Sequence, residues 1–170
     1  MTTPLQRFER ITRSVSELEP APAALGAIDM YPPPHPAESH PFETRNIHPD
    51  FPKKVRKLFD DGHTEQAVFE GFKYVEKEVK RVSGIKGKTG YALMMQAFNE
   101  NDAKVALNAL SEDSEIDEQR GYKSIFAGAV AGIRNPRGHE VDLVDTPDEA
   151  LDYLALASLL LRRLDTAGVR

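Results

Sequence analysis

The sequence predicts an all-α protein, a bundle of four to five helices behind an N-terminal helical arm and a proline-rich linker. Three observations lead there. Apolar residues recur at three- and four-residue spacing through the C-terminal two thirds of the chain. Helix start and stop signals bracket those runs. No glycine-punctuated alternation of strands and helices is present, which argues against a doubly wound α/β fold.

The chain has 170 residues, 40% hydrophobic and 29% charged, with a net charge of -5. That is one domain of ordinary size plus spare sequence. It contains no cysteine, so disulfides, thiolate metal sites and a cysteine nucleophile are excluded. No apolar run approaches membrane-spanning length. Arg7, Glu9, Arg10 and Arg13 interrupt any signal-peptide core, so no membrane association and a cytoplasmic location are expected. The charge is uneven: residues 1–48 carry net -2, 49–90 net +3 and 91–170 net -6. A locally basic middle permits a polyanion at one face, although such a run is also what a solvated helix face looks like.

Leu5, Phe8, Ile11, Val15 and Leu18 predict an amphipathic helix over 3–18. From Glu19 to about Asn46 seven prolines rule out regular helix or central strand, and the segment reads as a linker. Residues 1–46 are therefore arm and linker, and 47–170 the helical domain. His35 and His40 lie in the linker, where solvated loop residues are expected in preference to metal ligands.

Phe51, Val55, Leu58 and Phe59 stripe a short helix that Asp61-Gly62 ends. His63-Thr64 opens a longer one, with Val68, Phe69, Phe72, Val75, Val79 and Val82 on its apolar face and Ser83-Gly84 as its stop. Lys73, Glu76, Lys77, Lys80 and Arg81 are expected on the opposite, solvated face, with Glu76 and Lys80 as an i,i+4 pair. Gly87 and Gly90 lie among Lys86 and Lys88, but the spacing is not that of a nucleotide-triphosphate loop. Tyr91 to Phe98 reads as a further turn or two of helix, and 100–115 as a hairpin or irregular excursion.

A third long helix is expected over Asp117–Ile133. Gly128 and Gly132 each cost it about 1 kcal/mol relative to alanine, which suggests close approach of another helix, in the same chain or in a second subunit. Thr146-Pro147-Asp148-Glu149 is a strong start signal for the last helix. Its many leucines make it central to the bundle or covered by another subunit.

The chemistry gathers between those two helices. The third helix is expected to break at Asn135-Pro136 and to bring Arg134 and His139 to one end of the bundle. Histidine titrates near neutral pH and can give or take a proton. Arginine is permanently charged and matches phosphate geometry. Asn135 can orient the imidazole or donate to a phosphate oxygen, and Arg137 can help to hold phosphate. A purely structural alternative has Arg134 capping helix carbonyls and His139 filling a turn. No metal site and no cofactor is expected.

The run Ile133-Arg134-Asn135-Pro136-Arg137-Gly138-His139 resembles the R-x4-6-H signature of the HEPN superfamily, and the polar Asn135 after the arginine is typical of it. The wider run is similar to an uncharacterised Ymh-like branch. The shared features are Asn46-Ile47-His48-Pro49, Gly62-His63 with the 67–83 helix, Gly90 before Leu93-Met94, and the stretches 121–126 and 128–139. They cover about residues 46–165 and omit the arm.

The resemblance implies a helical bundle that forms a homodimer and sets two copies of the motif across one cleft. It implies a metal-independent endoribonuclease with Arg134, Asn135 and His139 as catalytic residues and Arg137 on the substrate RNA. The implied setting is antiphage defence, abortive infection or a toxin–antitoxin pair, with an antitoxin or defence-system protein as possible partner. A catalytically silent dimeric module that binds RNA, nucleotide or protein is the alternative. Some relatives of this superfamily carry a tyrosine that is nucleotidylated by their antitoxin. Here Val141 and Asp142 follow Glu140, so that tail is missing and that mode of control is not expected.

Overall fold

Helix begins earlier than the proline content suggests. In the computed structural model, which describes residues 39–139 and 143–170, α1 covers Pro41–Thr44. Proline is tolerated there because the first helical residue has no intrahelical partner for its N–H. His40 precedes it as cap: its Nδ1 accepts from the Phe42 N–H at 3.1 Å, and its Nε2 meets Asp60 Oδ1 at 2.7 Å. So His40 is not a solvated loop residue. Phe42 and Ile47 are buried, and the compact unit runs from Ser39 to Arg170. The predicted arm helix, His35 and most of the linker lie outside the described residues.

The next two helices, α2 (Lys53–Asp60) and α3 (Thr64–Ser83), fall where the periodicity puts them. Gly84 ends α3 in the left-handed conformation, φ +64, which only glycine adopts without strain. Val68, Phe72, Val75 and Val79 are fully buried. The polar face departs from expectation: Glu76 and Glu78 are buried too. Glu78 pairs with Arg81 at 2.8 Å, and Glu76 turns inward.

After α4 (Gly90–Ala97) the chain is irregular to residue 112. The fully buried Gln119 pins that stretch, accepting from the Leu107 N–H and donating to the Phe98 and Val105 carbonyls. Helix α5 (Asp113–Ala129) starts four residues before the expected Asp117. Asp113 and Glu115 suit its first turn through the helix dipole, and Glu115 accepts from the Ser111 N–H at 2.8 Å. A π turn over Val130–Arg134 and α6 (Asn135–His139) continue it. The last helix, α7 (Pro147–Thr166), opens on a complete capping box between Thr146 and Glu149.

Among the described residues every regular element is helical, and none is long and apolar enough to cross a membrane. Helix α3 lies at the centre, packed on α2, α4, α6, α7 and the π turn. Leu154, Leu160, Leu161 and Leu164 of α7 are buried and the helix packs on α3, while Leu159 stays exposed. The close approach is made by a different glycine. A β-carbon on Gly71 of α3 would stand 2.7 Å from Leu154 Cδ2, whereas one on Gly128 or Gly132 would meet nothing within 4 Å. Gly128 and Gly132 are exposed, so no helix among the described residues covers them.

Candidate functional site

The expected helix break at Asn135-Pro136 does not occur. Proline in a regular α-helix lacks the N–H for its hydrogen bond and clashes with the carbonyl four residues back. The turn before Pro136 is widened instead: the Asn135 N–H bonds to the Val130 carbonyl, five residues away. This π turn relieves the clash, and the helix runs on to His139. Such turns are frequent at functional sites.

Continuous helix sets the faces. Residues four apart share one, so Arg134 and Gly138 point the same way, and Asn135 and His139 take the adjacent face. Arg134 and Gly138 both meet Phe69 of α3. The Arg134 guanidinium lies 5.0 Å from the ring centroid. A β-carbon on Gly138 would stand 2.9 Å from Phe69 Cε2. Glycine at 138 is therefore what lets the end of α6 lie on the ring.

Arg134 is held on three sides. Beneath it is Phe69, a cation–π contact of about 0.5–2 kcal/mol. Its NH1 donates to Asn135 Oδ1 at 3.1 Å. Its NH2 stands 3.9 Å from Glu76 Oε2, with the arginine side chain 25% exposed and the glutamate 9%. Glu76 Oε1 accepts from the Gly90 N–H at 2.9 Å. The Lys73 ammonium lies 5.6 Å from the same Phe69 ring, so two cations share one aromatic. That contact joins the motif to the basic face of α3, where Lys73, Lys77 and Lys80 are exposed.

His139 ends α6 and is exposed. Arg137 is placed differently from its expected role on the substrate. Its Nε and NH2 donate to the two Asp145 oxygens at 2.6 and 2.5 Å, and NH1 donates to the Ile133 carbonyl at 2.8 Å. It also lies 4.2 Å over the Tyr153 ring. Burial works against its charge, but Asp145 and Tyr153 together outweigh it and hold the guanidinium above its ordinary pKa. Asp145 is fixed in turn, since its carbonyl accepts from Thr64 Oγ1 at 2.6 Å. Arg137 is a tie between α6 and the start of α7, with its donors committed to protein.

The structure thus gathers Arg134, Asn135 and His139 on adjoining faces of one helix end and sets Arg137 into the framework. Sequence reading missed Phe69, Glu76 and Asp145 as neighbours. Phe69 carried only a core signal. The spacing of seven between Phe69 and Glu76 was a sign that both lie on one helix face, but the charge of Glu76 pointed to solvent. Among the described residues no three of His, Asp and Glu gather within reach of one metal ion.

A family model described as "Protein of unknown function (Hypoth_ymh)" matches residues 45–164. No curated protein and no solved structure matches the chain.

Proposed function

The chain belongs to the Hypoth_ymh family, and we propose that it is a HEPN-type endoribonuclease that works without a metal ion. The observation that carries the reading is the pairing of a supported arginine with an exposed histidine. Arg134 rests on Phe69, Asn135 and Glu76, yet a quarter of its side chain faces solvent. His139 is exposed on the face next to it.

The reaction uses the nucleophile that RNA supplies. His139 takes the proton of a 2′-hydroxyl, whose oxygen attacks the adjacent phosphorus. Arg134 stabilises the negative charge that builds on the pentacoordinate phosphate. The bond to the 5′-oxygen breaks and that oxygen is protonated. The products are a 2′,3′-cyclic phosphate and a 5′-hydroxyl. One imidazole cannot be base and acid in the same step, so a homodimer presenting two His139 side chains fits the chemistry. The face of α5 and the π turn that carries Gly121, Ile125, Gly128 and Gly132, uncovered among the described residues, is the seam we assign to that dimer. Asn135 keeps Arg134 in place and lies one turn from His139. Lys73 and its neighbours on α3 carry flanking phosphates. The setting we propose, on the resemblance alone, is defence or a toxin system.

The test is cleavage of labelled single-stranded RNA in EDTA by the wild type, Arg134→Ala and His139→Ala. Loss of cleavage in both variants supports the reading. Equal cleavage by all three, or none by a folded wild type on varied RNA, rejects it.

A further inference from the structure

Glu76 plays no part in the reaction just described, but its surroundings give it one. It is a carboxylate in the middle of α3, 9% exposed, and burial of a charge is costly unless something answers it. One oxygen is answered by the Gly90 N–H at 2.9 Å. Gly90 opens α4 with φ +59, a conformation that favours glycine and aims this N–H at the carboxylate. The helix start adds favourable potential for an anion. A glutamine could accept the same bond, though less strongly than a carboxylate, so the Gly90 amide alone does not require the charge.

The other oxygen, Oε2, faces Arg134 NH2 at 3.9 Å. That is too long for a hydrogen bond. Neither Oε2 nor the buried Arg134 Nε has a hydrogen-bond partner among the described residues. The carboxylate therefore attracts the guanidinium without consuming its donors.

We infer that Glu76 is a positioning residue for Arg134. The Gly90 amide fixes the carboxylate, and the carboxylate fixes where the guanidinium stands above Phe69. The same oxygen pair links the motif to the loop that precedes α4. That loop turns at Gly84, Gly87 and Gly90, all with positive φ, and exposes Lys86 and Lys88. The inference rests on the ribonuclease reading, because its consequence is felt by the phosphate that Arg134 meets.

The experiment uses the full chain and a labelled single-stranded RNA in EDTA. Glu76→Gln keeps an acceptor for Gly90 and removes the charge facing Arg134. Its expected effect is a kcat lower by about tenfold to a hundredfold with KM unchanged or smaller and the melting temperature kept. Glu76→Asp retains the charge on a shorter stem and should recover part of the rate. In an Arg134→Lys background, Glu76→Gln should add no further loss, since the guanidinium it positions is gone. Wild-type kcat in Glu76→Gln overturns the inference. So does a rise in KM that accompanies a loss of stability, or a full additional loss in the Arg134→Lys background. The controls separate the two levels. A folded wild type that cleaves nothing overturns the ribonuclease reading and this inference together. Cleavage that depends on Arg134 but ignores Glu76→Gln overturns the inference alone.

Discussion

Arg137 and Asp145 form a bidentate ion pair closed off from water, with side chains only 5% and 7% exposed. The pair ties the residue two before His139 to the residue that precedes the capping threonine of α7. Removing one partner strands the other charge. Asp145→Ala is expected to cost about 3–5 kcal/mol, read as a large fall in the urea midpoint. Asp61→Ala, which breaks the exposed Lys57–Asp61 pair, is the comparison and should cost about 1 kcal/mol or less. Equal effects would show that Arg137 is not a structural tie.

Gly71→Ala and Gly138→Ala place a β-carbon 2.7 Å from Leu154 Cδ2 and 2.9 Å from Phe69 Cε2. Each should lose about 1–3 kcal/mol by overpacking, more than the helix-propensity gain returns. Gly138→Ala should also slow RNA cleavage, because it lifts α6 off the ring that supports Arg134. Thermal unfolding and cleavage assays on the same samples check both. A stabilised Gly138→Ala protein would contradict the contact.

The α5 face makes a distinct prediction. Among the described residues a β-carbon on Gly128 or on Gly132 in the adjoining π turn would meet nothing within 4 Å, and Ile125 is exposed beside them. On the proposed dimer, Ile125→Glu with Gly128→Leu should leave a folded monomer and abolish cleavage. Light scattering with circular dichroism reads both. A dimer that survives the double change places the seam elsewhere.

Glu100 gives a pH dependence. It accepts from Lys123 at 2.5 Å and from Arg120 at 2.9 Å, and the Lys123 bond above all lowers its pKa to about 2. A carboxyl with a depressed folded pKa adds stability that is fully present above its ordinary value near 4.5 and is lost as pH falls toward 2. Melting temperature should therefore fall from pH 5 to pH 2. Glu100→Gln should lower it at pH 7 and flatten that acid limb. An unchanged acid limb in Glu100→Gln assigns the loss to other carboxylates.

Much of this was legible in the chain, and the failures have physical causes. The bounds of α3 and α7 could be read because their apolar repeat coincides with strong caps, Gly84 at one end and Thr146–Glu149 at the other. The beginning of the unit was hidden by prolines, since composition does not separate proline at a first helical position from proline in a linker. The π turn was hidden because one extra residue in a turn leaves no mark on the apolar pattern, so Pro136 read as a break. The motif residues were legible by type and spacing. Their supports were not: Glu76 and Arg137 look solvated until burial and partners are known. Phe69 looks like any core aromatic until Arg134 is found on it.

The proposed reaction turns on attack by the 2′-hydroxyl, and the chemistry of the product ends reveals whether it occurs. The folded wild-type protein is incubated in EDTA with a labelled RNA and with the same oligonucleotide bearing 2′-deoxy sugars, and the new ends are identified. The expected result is cleavage of the RNA to 2′,3′-cyclic phosphate and 5′-hydroxyl ends, with the deoxy strand left whole. Cleavage of both strands alike, or an intact RNA, would contradict it.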